Sequence, residues 1–144
     1  MMFQPYIFLH FHLLHYANYK ICSFLNDITL GRQKMGGTII SFTAIEFPNE
    51  ELMENTREIF NVEMRSITER LKPHGMIKFH SSRLFLPENK LMVGNWLEYR
   101  DIEAFTICDE IWQKNEEELA AKYGDTFADV KFSSYRGQVF QDWT

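Results

Sequence analysis

Cysteine is scarce in this 144-residue chain, where Cys22 and Cys108 stand alone. Two thiols so far apart cannot staple a small scaffold, and they show no metal-ligand spacing. Isolated thiols fit a reducing compartment, so a cytoplasmic location is expected. Basic residues are outnumbered, fifteen against twenty acidic ones, for a formal charge of −5. A chain of that sign repels phosphate backbones, and no nucleic-acid partner is expected. Long apolar runs are missing as well. Tyr6 to Leu14 is broken by His10 and His12 and falls far short of the roughly 20 residues that span a bilayer, so no membrane partner is expected. The chain holds no phosphate-binding loop, dinucleotide fingerprint, zinc-finger spacing or nucleophile elbow, and no cofactor is expected.

Aromatic side chains are plentiful: thirteen Phe, six Tyr and three Trp. With aliphatic residues they make up 45% of the chain, ample for the core of one domain, while the length is too short for two.

Residues 1–37 read as an N-terminal extension outside the native fold. They are rich in Phe, Leu, Ile and Tyr, with no early Lys or Arg and no small-residue cleavage site, which argues against a secretory signal. Met35-Gly36-Gly37 stands directly before the first strand-like run, and Met35 would make a natural start for the domain. A rival reading takes His10, His12 and His15 as a metal site. On a strand His10 and His12 would share a face; on a helix His12 and His15 would.

From Thr38 the elements follow in order. Thr38 to Phe47 is rich in β-branched and aromatic residues, the pattern of a buried strand. Pro48 ends it, and Asn49 with Glu50 and Glu51 opens a helix. Leu52, Ile59, Phe60, Met64, Ile67 and Leu71 give that helix one apolar face, and Glu63 falls on the face expected to be solvated. Lys72-Pro73-His74-Gly75 stops it. Met76 to Leu86 and Leu91 to Tyr99 read as strands around a Pro87-to-Lys90 turn, hence an antiparallel hairpin. In the second of these, Asn95 is the polar exception among Leu91, Val93, Leu97 and Tyr99. Asp101 caps a second helix whose stripe is Ile102, Phe105, Cys108, Ile111 and Trp112, with Gly124 as its stop. Val130 to Phe140 is the last strand.

A domain over residues 38–144 in the order βαββαβ is therefore expected, an α+β ferredoxin-like arrangement. Four antiparallel strands carry both helices on one face. The first strand is apolar on both sides, with Ile40, Phe42 and Ala44 on one and Ile39, Ile45 and Phe47 on the other. A sheet apolar on its open face calls for a cover, and a second copy of the chain related by two-fold symmetry is the simplest one.

TIISFTAIEF, the long helix after PNEE, and VGNWLEYRDIEAF resemble the dimeric α/β-barrel superfamily, which includes antibiotic-biosynthesis monooxygenase-like, NIPSNAP-like and stress-responsive barrel proteins. The likeness runs from Thr38 to about Trp143 and is one of element order and pattern, not of a signature. It implies a homodimer with a pocket between sheet and helices for a small organic ligand. A cofactor-independent monooxygenase or isomerase is the activity it suggests. His80 and Arg83 are then the catalytic candidates, as proton acceptor and anion clamp; Asn95, Trp96, Tyr135 and Arg136 are the candidates for substrate binding. Haem-degrading members use an Asn on the first strand and a His and a Trp from later elements. Here the first strand offers Ser41 and Thr43 instead, and the second helix has no His, so that activity is not implied.

Each candidate also has a plainer reading. His80 and Ser82 fit a wet stretch of strand, Arg83 and Arg136 fit surface or dimer-contact charges, and Trp96 fits a core or interface anchor. A non-catalytic interaction module is the rival function, favoured if aromatic rings fill the space between the layers.

Overall fold

The computed structural model of the chain describes residues 37–143. The expected extension, Cys22, and the His10, His12 and His15 cluster lie outside the described residues. The order is β1 (Ile39–Phe47), α1 (Glu50–Leu71), β2 (Met76–Leu84), β3 (Leu91–Tyr99), α2 (Ile102–Tyr123) and β4 (Lys131–Gln138). All strand pairs are antiparallel, and the sheet runs β2-β3-β1-β4. This is the ferredoxin-like βαββαβ fold, with β1 and β3 central and β2 and β4 at the edges.

Local chemistry accounts for the boundaries. The Asn49 side chain accepts from the Leu52 amide at 2.8 Å, and Asp101 accepts from Ala104 at the same distance; each satisfies an amide that the first helical turn leaves without a carbonyl. After α1, Pro73 sits in one 3-10 turn and Gly75 takes a left-handed backbone with φ 101°. A β-carbon there would also stand 2.7 Å from the Ala104 methyl, so glycine is required twice over. Gly124 follows α2 as expected, though in right-handed geometry.

Several details differ from the sequence reading. β2 stops at Leu84, two residues early, and β4 is shorter at both ends than Val130 to Phe140. The inward stripe of α1 is centred on Met53, Thr56, Ile67 and Leu71, while Leu52, Ile59, Phe60 and Met64 flank it half-buried. Glu63 is only partly solvated. Lys122 donates to its carboxylate at 2.5 Å and Tyr123 at 2.7 Å, and these two bonds hold its pKa below the usual carboxylate range.

Both helices pack on one face of the sheet. At one end Ile45, Phe47, Met53, Phe127 and Val130 form an apolar cluster joined by Phe60 and Val93. At the other, Tyr99 meets Phe105 edge-on at 5.4 Å, Phe79 meets Trp112 at 6.1 Å, and the buried Cys108 thiol donates to the Leu71 carbonyl at 3.7 Å. Burial raises the Cys108 pKa, which keeps it a thiol and a poor nucleophile.

Candidate functional site

Alternation along the four strands sorts the candidate residues into two opposite layers. His80, Trp96, Phe42 and Tyr135 are register partners in turn, so they line up straight across the outer face. Their rings form one continuous row: His80 lies 6.2 Å from Trp96, Trp96 lies 4.1 Å from Phe42, and Phe42 lies 6.2 Å from Tyr135. The two outer pairs stack at 15° and 18°, and the central Phe42–Trp96 pair is tilted at 31°. The row needs Gly94. A β-carbon at Gly94 would sit 2.7 Å from the Phe42 ring, so only glycine lets Phe42 lie flat beside Trp96.

The next register row faces the helices and is polar in every strand: Ser81, Asn95, Thr43 and Ser134. Ser81 donates to the Asn95 side-chain oxygen at 2.6 Å, and the Thr43 and Ser134 hydroxyls bond each other at 2.9 Å. Asn95 is buried, as is Ser41 one row further on, opposite Arg136. A polar stratum thus divides the two apolar ends of the interior.

Between α1 and the β2 edge a groove of about 680 Å³ opens onto this interior. Phe47, Met53, Phe60, Phe79 and Val93 line it, and Ser81 and Arg83 border it from β2. Thr56 also faces it; the residue is 1% exposed, and its Oγ1 has no hydrogen-bond partner. Native interiors rarely leave such a group unsatisfied, because an unpaired buried hydroxyl costs about 1–3 kcal/mol. At the mouth Arg83 makes a two-pronged ion pair with Glu50, at 2.8 and 3.0 Å.

A second polar group lies under α2. Burial, and then the nearby Asp109 charge, push the Glu116 carboxyl up to about 7, with Arg136 opposing the rise. The Nδ2 of buried Asn115 and the Nε of Arg136 are both enclosed without partners. The Arg136 guanidinium lies 5.9 Å from the Phe105 ring. Burial raises the pKa of the Tyr99 phenol far above its ordinary value, and Trp112 donates to its oxygen at 3.1 Å.

The expected constellation is therefore split. His80, Trp96 and Tyr135 carry their rings on the outer face, while Arg83, Asn95 and Arg136 face the helices. The reason is the two-residue period of a strand: His80 and Arg83, an odd number apart, cannot point the same way. Of these six, only Arg83 and His80 border the groove. Thr56, Ser81, Asn115 and Glu116 were not among the candidates. Their signal was a polar residue at an apolar phase: Thr56 falls between Met53 and Phe60 on the helix stripe, and Ser81 alternates with Phe79.

Among the described residues no group of three or more His, Cys, Asp or Glu could hold a metal ion, and no helix is long and apolar enough to cross a membrane.

Two crystal structures of dimeric ferredoxin-like proteins from uncultured marine organisms share this fold. One is 21% identical with a TM-score of 0.59, covering 74% of this chain and 99% of its own. The other is 20% identical with a TM-score of 0.60, covering 74% and 98%. A Bacillus cereus protein provisionally named as an antibiotic biosynthesis monooxygenase is 18% identical with a TM-score of 0.52, covering 76% and 99%. Likeness at this identity establishes the fold. No curated protein matches the sequence. A family model described as a domain of unknown function, DUF6974, matches residues 36–139.

Proposed function

The chain belongs to the DUF6974 family, and from that premise we propose that it is a homodimeric protein that binds a small organic molecule in the groove between α1 and β2. The enclosed Thr56 hydroxyl carries this reading: the residue lines a groove of drug-sized volume, and its Oγ1 has no partner in the protein. The second copy pairs through the outer face, where the aromatic row and Ile40, Ala44 and Met92 sit opposite both helices. Two relatives of the same fold are described as dimeric, which supports that choice of partner.

Gentle native mass spectrometry of the purified chain tests both halves. The expected result is a dimer that carries an added small mass. A monomer would overturn the pairing, and a bare dimer that takes up nothing from a library of small apolar compounds would overturn the groove.

Thr56→Val sharpens the test because its two effects have opposite signs. Valine removes the unpaired oxygen at nearly constant volume, so unliganded protein should gain about 1 kcal/mol in urea denaturation. The same variant should lose most of the retained ligand. A loss of stability would mean that the hydroxyl already has a partner.

A second reading makes the protein an enzyme of the monooxygenase or isomerase kind, and one observation favours it. His80 borders the groove while its ring lies at the end of the aromatic row. As proton acceptor it would need to reach a substrate from the strand edge, with Arg83 clamping the developing anion once released from Glu50. His80→Ala should then abolish turnover and leave the dimer intact; unchanged turnover would remove His80 from the mechanism.

A further inference from the structure

Resting on the groove reading, we infer that the ligand is an apolar body with a single anionic head, an amphipathic carboxylate, whose head is held at the rim by Arg65. The interior of the groove is built for the body. Rings of Phe47, Phe60 and Phe79 and the Met53 thioether come from both layers, and such side chains conform to flat or flexible apolar shapes. Among the described residues, the Thr56 hydroxyl is the one fully buried side-chain polar atom of the lining without a partner, so the enclosed part of the groove matches at most one polar atom of a ligand.

The rim decides the charge. Three of its cations are already matched within the protein: Arg57 with Glu54 at 2.7 Å, Lys72 with Glu69 at 2.8 Å, and Arg83 with Glu50 at 2.8 Å. Arg65 borders the same groove from the exposed side of α1, outside these pairs. The rim therefore carries one unmatched positive charge above an apolar floor. An anionic head meets it; a cationic head meets like charge at Arg65 and would have to break one of the three pairs to find a carboxylate. The chain as a whole is acidic, so this local surplus runs against the general field.

The test is a calorimetric titration of the full chain with dodecanoate, dodecanol and dodecyltrimethylammonium, which share a body and differ in head. Two variants accompany it: Arg65→Gln, and Thr68→Trp, which adds bulk to a half-buried residue lining the groove. Dodecanoate should bind the native chain most tightly. Arg65→Gln should weaken it about fivefold, the scale of one exposed charge contact, and leave dodecanol unchanged. Thr68→Trp should exclude every probe that binds. If dodecanol or the cation binds as tightly as dodecanoate and Thr68→Trp still excludes it, the anionic class is overturned and the groove stands. If none binds, or Thr68→Trp excludes nothing, the groove reading and this inference fall together.

Discussion

Glu116→Gln should make the protein more stable at pH 8, by up to about 3 kcal/mol, and have little effect near pH 4. The Glu116 carboxyl titrates at about 7 in the fold because burial, and then Asp109, disfavour its charged form. In the unfolded chain it titrates near its ordinary value of 4.5. The folded state thus holds a proton that the unfolded state has released between those values, and stability from this group is present below about 4.5 and is lost as pH rises through about 7. A shift of this size corresponds to about 3 kcal/mol at 1.36 kcal/mol per pKa unit. Glutamine keeps the shape and cannot ionise, so it escapes the loss. Urea denaturation of both proteins across this range should show the gap opening between about pH 4.5 and 7 and staying constant above it. A gap independent of pH would mean that Glu116 is ordinary in the fold.

A carboxylate left in so unfavourable a place invites a functional question. Arg136, the nearest opposing charge, has an enclosed Nε without a partner, and Asn115 beside Glu116 has an enclosed amide nitrogen in the same condition. The polar groups under α2 are thus mutually under-satisfied, as the Thr56 hydroxyl is at the groove. Natural interiors tolerate such groups chiefly where binding or proton uptake makes use of them.

The fold was largely legible in the sequence, and particular residues say why. Asn49 and Asp101 announce helix starts by chemistry that acts over three residues, and Pro73 with Gly75 announces a stop in the same local way. The hairpin followed from a link too short for anything but antiparallel neighbours. The candidate site was less legible. An imidazole for proton transfer and a guanidinium for an anion make His80 and Arg83 a chemically sensible pair, yet a strand sends them to opposite faces. Thr56 is hidden because the apolar residues from Leu52 onward suggest one phase, whereas the inward phase begins at Met53, one position on. The phase of Glu63 on α1 points to solvent, but Lys122 and Tyr123 reach it from α2, and no local pattern encodes a neighbour from the other helix. The cross-strand rows were hidden for the same reason: each takes one residue from four strands, and only register brings them together.

Register also sets the last expectation, that Phe42→Glu will split the proposed dimer. Phe42 occupies the middle of the aromatic row on a central strand, with Trp96 and Tyr135 on either side. In the proposed dimer a two-fold axis through the outer face brings this row against its own copy, so a charge at Phe42 enters the middle of the contact twice. Central aromatic residues of this kind are worth about 2–4 kcal/mol each when truncated, and a desolvated, unpaired carboxylate adds to that loss. The dimer dissociation constant should rise at least about a hundredfold, measured by sedimentation equilibrium. Because Phe42 packs within its own chain as well, Tyr135→Glu serves as the second variant. That side chain is 61% exposed in the single chain and meets only the end of the row, so a glutamate there disturbs the fold less than one at Phe42. Dimers that survive both substitutions would place the contact elsewhere, and the aromatic row would then be an open stacking surface, free to take a flat ligand in place of a second copy.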